Sequence, residues 1–166
     1  MAKNIRKAYT KAEKRLERCF LITKVFLAIT PIICYFYVSL RGMMMGIGFK
    51  EVLETDPNMT IVFLIAMLNP YVAYLLHLIE KKLKEQDERF AIINMVLLLI
   101  AQLLTMNVFY FMMLGYVFYK AISFYDLPVK ATLRSLTVKT SFYCGGGSFL
   151  IVAFSTICLF ATIRLM

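Results

Sequence analysis

Histidine, cysteine and acidic side chains are scarce in this chain, and each scarcity removes a class of chemistry. Of its 166 residues, one is histidine, four are cysteine and ten are acidic. His77 stands with no cysteine near it, so a His/Cys metal site does not assemble from local sequence. Cys19, Cys34, Cys144 and Cys158 form no C-x-x-C pair and only Cys144 lies near a loop. That excludes the paired, accessible thiols of a membrane disulfide-forming oxidase. The acids all fall in tails, loops or helix ends, leaving no mid-membrane carboxylate for proton-coupled export or acid/base catalysis. Met43-Met44-Met45, without Cys or His nearby, reads as apolar filler rather than a copper site. No cofactor and no enzymatic activity are expected. There is no internal repeat, heptad run or low-complexity linker.

Charge is scarce too. Charged residues make up 17% of the chain against 61% hydrophobic residues, and the mean hydropathy is +0.73. A water-soluble globule is excluded, and little chain is left outside the apolar blocks for a soluble domain. The expected fold is all-α: a polytopic integral membrane protein, a single domain over residues 1–166, built as a four-transmembrane-helix bundle with a basic amphipathic N-terminal helix.

A hydrocarbon core of about 30 Å takes about 20 helical residues, because only a helix satisfies its own backbone in lipid. The expected spans are about 19–40, 57–79, 90–119 and 142–163. Lys24, near the start of the first, has a stem long enough to snorkel. Asp56-Pro57, an acceptor followed by a proline, is a helix start. Pro31 and Pro70 should each kink their helix. The third stretch is uncharged from Phe90 to Tyr119, about 45 Å as one helix, so it must tilt or protrude.

Orientation follows the lysines and arginines. Lys3, Arg6, Lys7, Lys11, Lys14, Arg15 and Arg18 crowd the N-terminal tail, and Lys81, Lys82, Lys84 and Arg89 follow the second span, which places both on the cytoplasmic face of the plasma membrane. Four continuous spans bring the C-terminus to the same face. They also put Lys120, Lys130, Arg134 and Lys139 outside, against the rule; a re-entrant hairpin at 90–119 would put them inside. The expectation is the continuous crossing, because that segment has no proline and its one glycine, Gly115, is near its far end, while a break within lipid needs backbone shelter.

In the tail, Ile5, Tyr9, Ala12, Leu16 and Cys19 form an apolar stripe of helical period. Residues 1–18 should therefore lie along the inner membrane surface, with Lys3, Lys7, Lys11 and Lys14 contacting anionic lipid. Cations diluted by Glu13 and Glu17 and lacking a reading motif argue against nucleic acid. Pro128 should open a second basic interfacial helix carrying Val129, Leu133 and Leu136 on one face.

Three groups are candidate sites. Asn69, beside Pro70, should meet Gln102 and Asn107 at comparable depth and hydrogen-bond across the helix pair. Gly145, Gly146 and Gly147 offer a smooth patch for a close helix contact or an unwound entry. His77 with Glu80 three residues on could titrate as a pH switch. These features lead to a small non-enzymatic membrane protein, an accessory subunit, assembly factor or immunity-type protein, acting through helix contacts with other subunits or itself. The alternative is a permeation pathway for a small solute or ion lined by the mid-membrane Asn and Gln residues.

Overall fold

Asp56 does what its position before Pro57 demands. Its carboxylate accepts hydrogen bonds from the backbone N–H of Asn58 (3.1 Å) and Met59 (3.3 Å) and opens a 28-residue helix. The computed structural model describes the backbone of residues 2–134 and 138–165, and the side chains of 11–130, 132, 134 and 145–165. Every regular element among them is helical: α1 (Ala2–Met45), α2 (Phe49–Thr55), α3 (Pro57–Lys84), α4 (Glu88–Leu104), α5 (Val108–Tyr125), α6 (Val129–Arg134) and α7 (Val138–Leu165). Four of these, α1, α3, α5 and α7, are long and apolar enough to cross a membrane. The chain is thus an all-helical integral membrane protein.

Two sequence expectations change. The first concerns residues 1–18, which are no separate surface helix: α1 runs unbroken for 44 residues, through Pro31, to Met45. A continuous hydrogen-bonded helix has no joint at which its start could lie flat while its middle crosses. α1 ends where Gly46 turns left-handed (φ 70°), with Ile47 N–H bonding to Gly42 C=O (3.0 Å) and Gly46 N–H to Met43 C=O (3.3 Å). This Schellman ending satisfies carbonyls that the helix leaves orphaned.

The second correction is larger. The continuous third span is two helices, broken at Thr105–Asn107. Met106 adopts the left-handed conformation (φ 52°), while Met106 N–H bonds to Leu103 C=O (3.0 Å) and Asn107 N–H to Gln102 C=O (3.1 Å). The same Schellman geometry closes α3, with Gln86 as the left-handed residue (φ 62°). A methionine in this conformation costs about 1–2 kcal/mol; the turn satisfies carbonyls at the end of α4, while the first turn of α5 opens without a side-chain cap from Asn107.

Neighbour relations fix the arrangement. α1 and α3 are antiparallel: Lys84 pairs with Glu17 (2.6 Å) and Lys24 with Glu80 (2.6 Å) at one end, and Arg41 with Asp56 (3.0 Å) at the other. α5 runs antiparallel to α1, with Tyr116 beside Cys19 and Tyr110 beside Thr30. Its last residues, Phe124 and Tyr125, lie against Leu83, Gln86 and Glu88. The α4–α5 hairpin therefore starts and finishes at the Lys84 end. Its tip reaches only the level of Thr30, about 16 Å of helix short of Arg41.

The main core gathers Phe20 and Leu27 of α1, Leu76 and Ile79 of α3, Leu98 of α4, Val117 of α5 and Ile151 of α7. A smaller cluster of Cys34, Val38, Val52 and Ala66 sits where α2 folds back on α1 and α3. Phe36, Leu40, Tyr116, Phe154 and Phe160 are exposed. Such a rind suits acyl chains, and within lipid it is packing and hydrogen bonds, not hydrophobic burial, that hold helices together.

Candidate functional site

The break between α4 and α5 builds a cleft. Thr105, Met106 and Asn107 at the hairpin tip face Thr30, Cys34 and Tyr37 of α1 and Val62, Ala66 and Asn69 of α3 across about 390 Å³. Local chemistry shapes the tip: Thr105 Oγ1 donates to Gln102 C=O (3.1 Å), tightening the last turn of α4, and Asn107 occupies the N-cap of α5. The Thr30 and Tyr110 hydroxyls are hydrogen-bonded, and Tyr110 also donates to Phe26 C=O (3.3 Å). Phe109 meets Phe26 edge-on with ring centroids 6.1 Å apart. These contacts clamp the start of α5 to α1.

The expected hydrogen bonds among Asn69, Gln102 and Asn107 do not form; Asn69 and Asn107 only line the same cleft. Gln102 is buried, but Asn69 Nδ2 and Gln102 Oε1 have no hydrogen-bond partner among the described residues, and the two are only 2% and 3% exposed. Leaving a buried donor or acceptor unpaired costs about 1–3 kcal/mol each. Native proteins keep few such groups, and they concentrate where something else must bind or move.

α7 is fastened to this assembly by a bond the sequence did not suggest. Ser148 Oγ donates to Asn94 Oδ1 (2.6 Å) in a fully buried contact, while Asn94 Nδ2 donates to Phe90 C=O (2.8 Å). The glycines beside Ser148 divide by face. A Cβ on Gly145 would come 2.9 Å from Leu97, and one on Gly147 would come 3.0 Å from the Tyr71 hydroxyl; around Gly146 the space is open. The patch is a close contact at Gly145 and Gly147 alone, and the helix passes through all three without unwinding.

At the Lys84 end the supposed pH switch is taken apart. Glu80 gives its carboxylate to Lys24 (2.6 Å) and Lys84 (3.6 Å), while His77 is exposed and makes no ion pair with Glu80. Lys24 thus reaches a partner in the protein rather than the headgroups. Along Glu80–Arg89 the i,i+4 pairs Glu80–Lys84 (3.6 Å) and Lys81–Glu85 (3.9 Å) form, and the turn at Gln86 ends the helical spacing before Lys84 and Glu85 can pair with Glu88 and Arg89. The Lys82 ammonium bound to Glu85 (2.8 Å) holds that carboxyl below its usual range. Lys11 and Lys14 are exposed on α1. The side chains of Lys3, Lys7, Leu133 and Cys144, and Leu136 altogether, lie outside the described residues.

Among the described residues no three His, Cys, Asp or Glu side chains are grouped as metal ligands, and Cys19, Cys34 and Cys158 are free thiols. No family model, curated protein or solved structure matches the chain. The tip, with its cleft and the unpartnered Asn69 Nδ2 and Gln102 Oε1 nearby, is the candidate site. The signal that could have found it is Asn107, a residue type that begins helices, embedded in an otherwise apolar run. Tyr110, Thr30 and Asn94 carried no comparable signal.

Proposed function

We propose that the chain is a small non-enzymatic membrane protein, an accessory, assembly or immunity-type subunit, that docks a helix of another membrane protein above the tip of its hairpin. The observation that carries this reading is that the hairpin tip stops at the level of Thr30. Beyond it α2 covers one side of α1 and α3, and the other side opens on a cleft lined by Asn69, whose Nδ2 is unpartnered. The Asn69 Nδ2 is buried in the cleft wall, so a partner helix meets it only by entering the cleft and turning the amide outward; a hydroxyl or freed carbonyl then supplies the acceptor that lipid tails lack. In this reading the N-terminal tail, both ends of the hairpin and the basic stretch Lys120–Lys139 face the cytoplasm at the plasma membrane. The tail cations are drawn to the anionic leaflet, and α7 crosses outward, so the C-terminus lies outside rather than inside as first expected.

A photocrosslinking side chain at Val62 or Tyr37 should capture one discrete membrane partner in cells, and the same group at Ile157 of α7 should not. Asn69→Leu should weaken the capture at Val62 about tenfold, the upper range for an intramembrane hydrogen bond. Equal, diffuse labelling from all three positions would sink the reading.

A second reading has its own observation. A re-entrant hairpin that brings Asn69, Thr105 and Asn107 together at mid-depth is the kind of broken-helix arrangement that lines permeation paths. Solute or ion flux in liposomes, reduced by alanine at Asn69, Gln102 and Asn107, supports it. Flux that is absent, or indifferent to those changes, removes it.

A further inference from the structure

We propose that α1 and α5 together form a binding site for one anionic glycerophospholipid of the leaflet at the Lys84 end. A groove of about 730 Å³ opens there between the two helices. Its polar wall carries Lys11, Arg15 and Arg18 from α1 and Lys120 from α5, and no acidic residue lines it. These cations have no carboxylate partner among the described residues; of the two acids nearby in sequence, Glu17 is held by Lys84 at 2.6 Å and Glu13 makes no ion pair among the described residues. Lys120 lies over the ring of Tyr116, another lining residue, with its ammonium 5.7 Å from the ring centroid.

A second hollow, about 350 Å³ and almost wholly apolar, continues the first toward the hairpin tip. Cys19 and Tyr116 line both. Ile22, Met112 and Met113 line the continuation, which is open along one side. A cluster of unpaired cations at the headgroup level, joined to an apolar channel at acyl depth, matches one molecule with an anionic phosphate at one end and a hydrocarbon chain at the other. Arginine suits the phosphate because its planar fork donates in pairs. Methionine suits the chain because it adapts to an irregular apolar surface.

This deepens the reading above and rests on its assignment of the Lys84 end to the anionic leaflet, but not on the docking of a partner helix. The test is native mass spectrometry of the full chain in neutral detergent, titrated with phosphatidylglycerol, phosphatidylcholine or inorganic phosphate. Phosphatidylglycerol should bind in a single saturable step and phosphatidylcholine far more weakly. Each cation removed in Arg15→Gln, Arg18→Gln and Lys120→Gln should cost about fivefold in affinity. Removing equal charge elsewhere, with Lys50→Gln, Lys81→Gln and Lys82→Gln, should leave it unchanged. Met112→Trp, at an exposed position filling the apolar hollow, should weaken phosphatidylglycerol binding with all four cations intact. Equal binding of the two lipids, equal losses in the two triple variants, or displacement of the lipid by equimolar inorganic phosphate would each overturn the proposal. Leaflet assignment is read independently by thiol accessibility, so a wrong orientation and an absent lipid site give different results.

Discussion

Lys24 of α1 and Glu80 of α3, 56 positions apart in the chain, meet at 2.6 Å with side chains only 20% and 15% exposed. Such a pair resists the loss of one member more than the loss of both, because a lone, partly buried charge keeps its desolvation cost without its Coulomb return. Glu80→Gln should destabilise the folded protein in detergent by about 1–3 kcal/mol, less than the roughly 3–5 of a fully buried pair. Adding Lys24→Met should recover much of that loss. The exposed Lys50–Glu54 pair should show almost no coupling in the same double-mutant cycle. An additive Lys24–Glu80 cycle would show that the pair does not hold α1 to α3.

Met106 sets the second prediction. Its left-handed backbone is strained while its side chain is 65% exposed, so replacement changes the turn with little loss of packing. Met106→Gly should raise stability by about 1 kcal/mol, and Met106→Val, which tolerates positive φ worst, should lower it by at least as much. Denaturation midpoints in one detergent check the order. If valine were the more stable of the two, residues 105–107 would not form this turn.

These contacts explain what the sequence could and could not convey. The start of α3 was legible because Asp56 and Pro57 act on their own neighbours, and the helical class was legible because lipid permits few alternatives. The break at Met106 was not, since neither glycine nor proline marks it; the left-handed residue is held by packing of the tip against Thr30 and Phe26. For the same reason Asn107 was read as a mid-helix hydrogen-bonder when it is an N-cap. Glu80 was assigned to His77 three residues away because local spacing cannot reveal a lysine 56 positions back. Glycines 145–147 were recognised as small, but which of them face another helix depends on where α3 and α4 lie.

The glycines therefore make a prediction that distinguishes neighbours. Gly145→Leu and Gly147→Leu should each cost about 1–3 kcal/mol, because Leu97 and the Tyr71 hydroxyl must yield. Gly146→Ala should be neutral or stabilising by up to about 1 kcal/mol, since it meets nothing and improves helix propensity. Thermal midpoints of the three variants check this. Equal effects at 146 and 147 would mean α7 is rotated from the orientation described.

Topology gives the last prediction. The end of α5 lies beside Gln86 and Glu88, and in the proposed topology Lys120, Lys130, Arg134 and Lys139 join the cations of the tail and of the α3–α4 turn on one face, with Arg41, Lys50 and Arg164 on the other. In that arrangement the conflict with the positive-inside rule disappears, and the objection to a hairpin, a lipid-exposed backbone break worth several kcal/mol per group, is reduced at the end of α4 by the bonds to Gln102 and Leu103. In a variant otherwise free of cysteine, Arg134→Cys should stay unlabelled by a membrane-impermeant thiol reagent in intact cells and react once they are permeabilised. Leu165→Cys should react in intact cells, because a 21-residue apolar stretch from Gly145 to Leu165 that begins inside has enough length to finish outside. Labelling of Arg134→Cys from outside would restore the continuous third span, and protection of both positions would return the C-terminus to the cytoplasm.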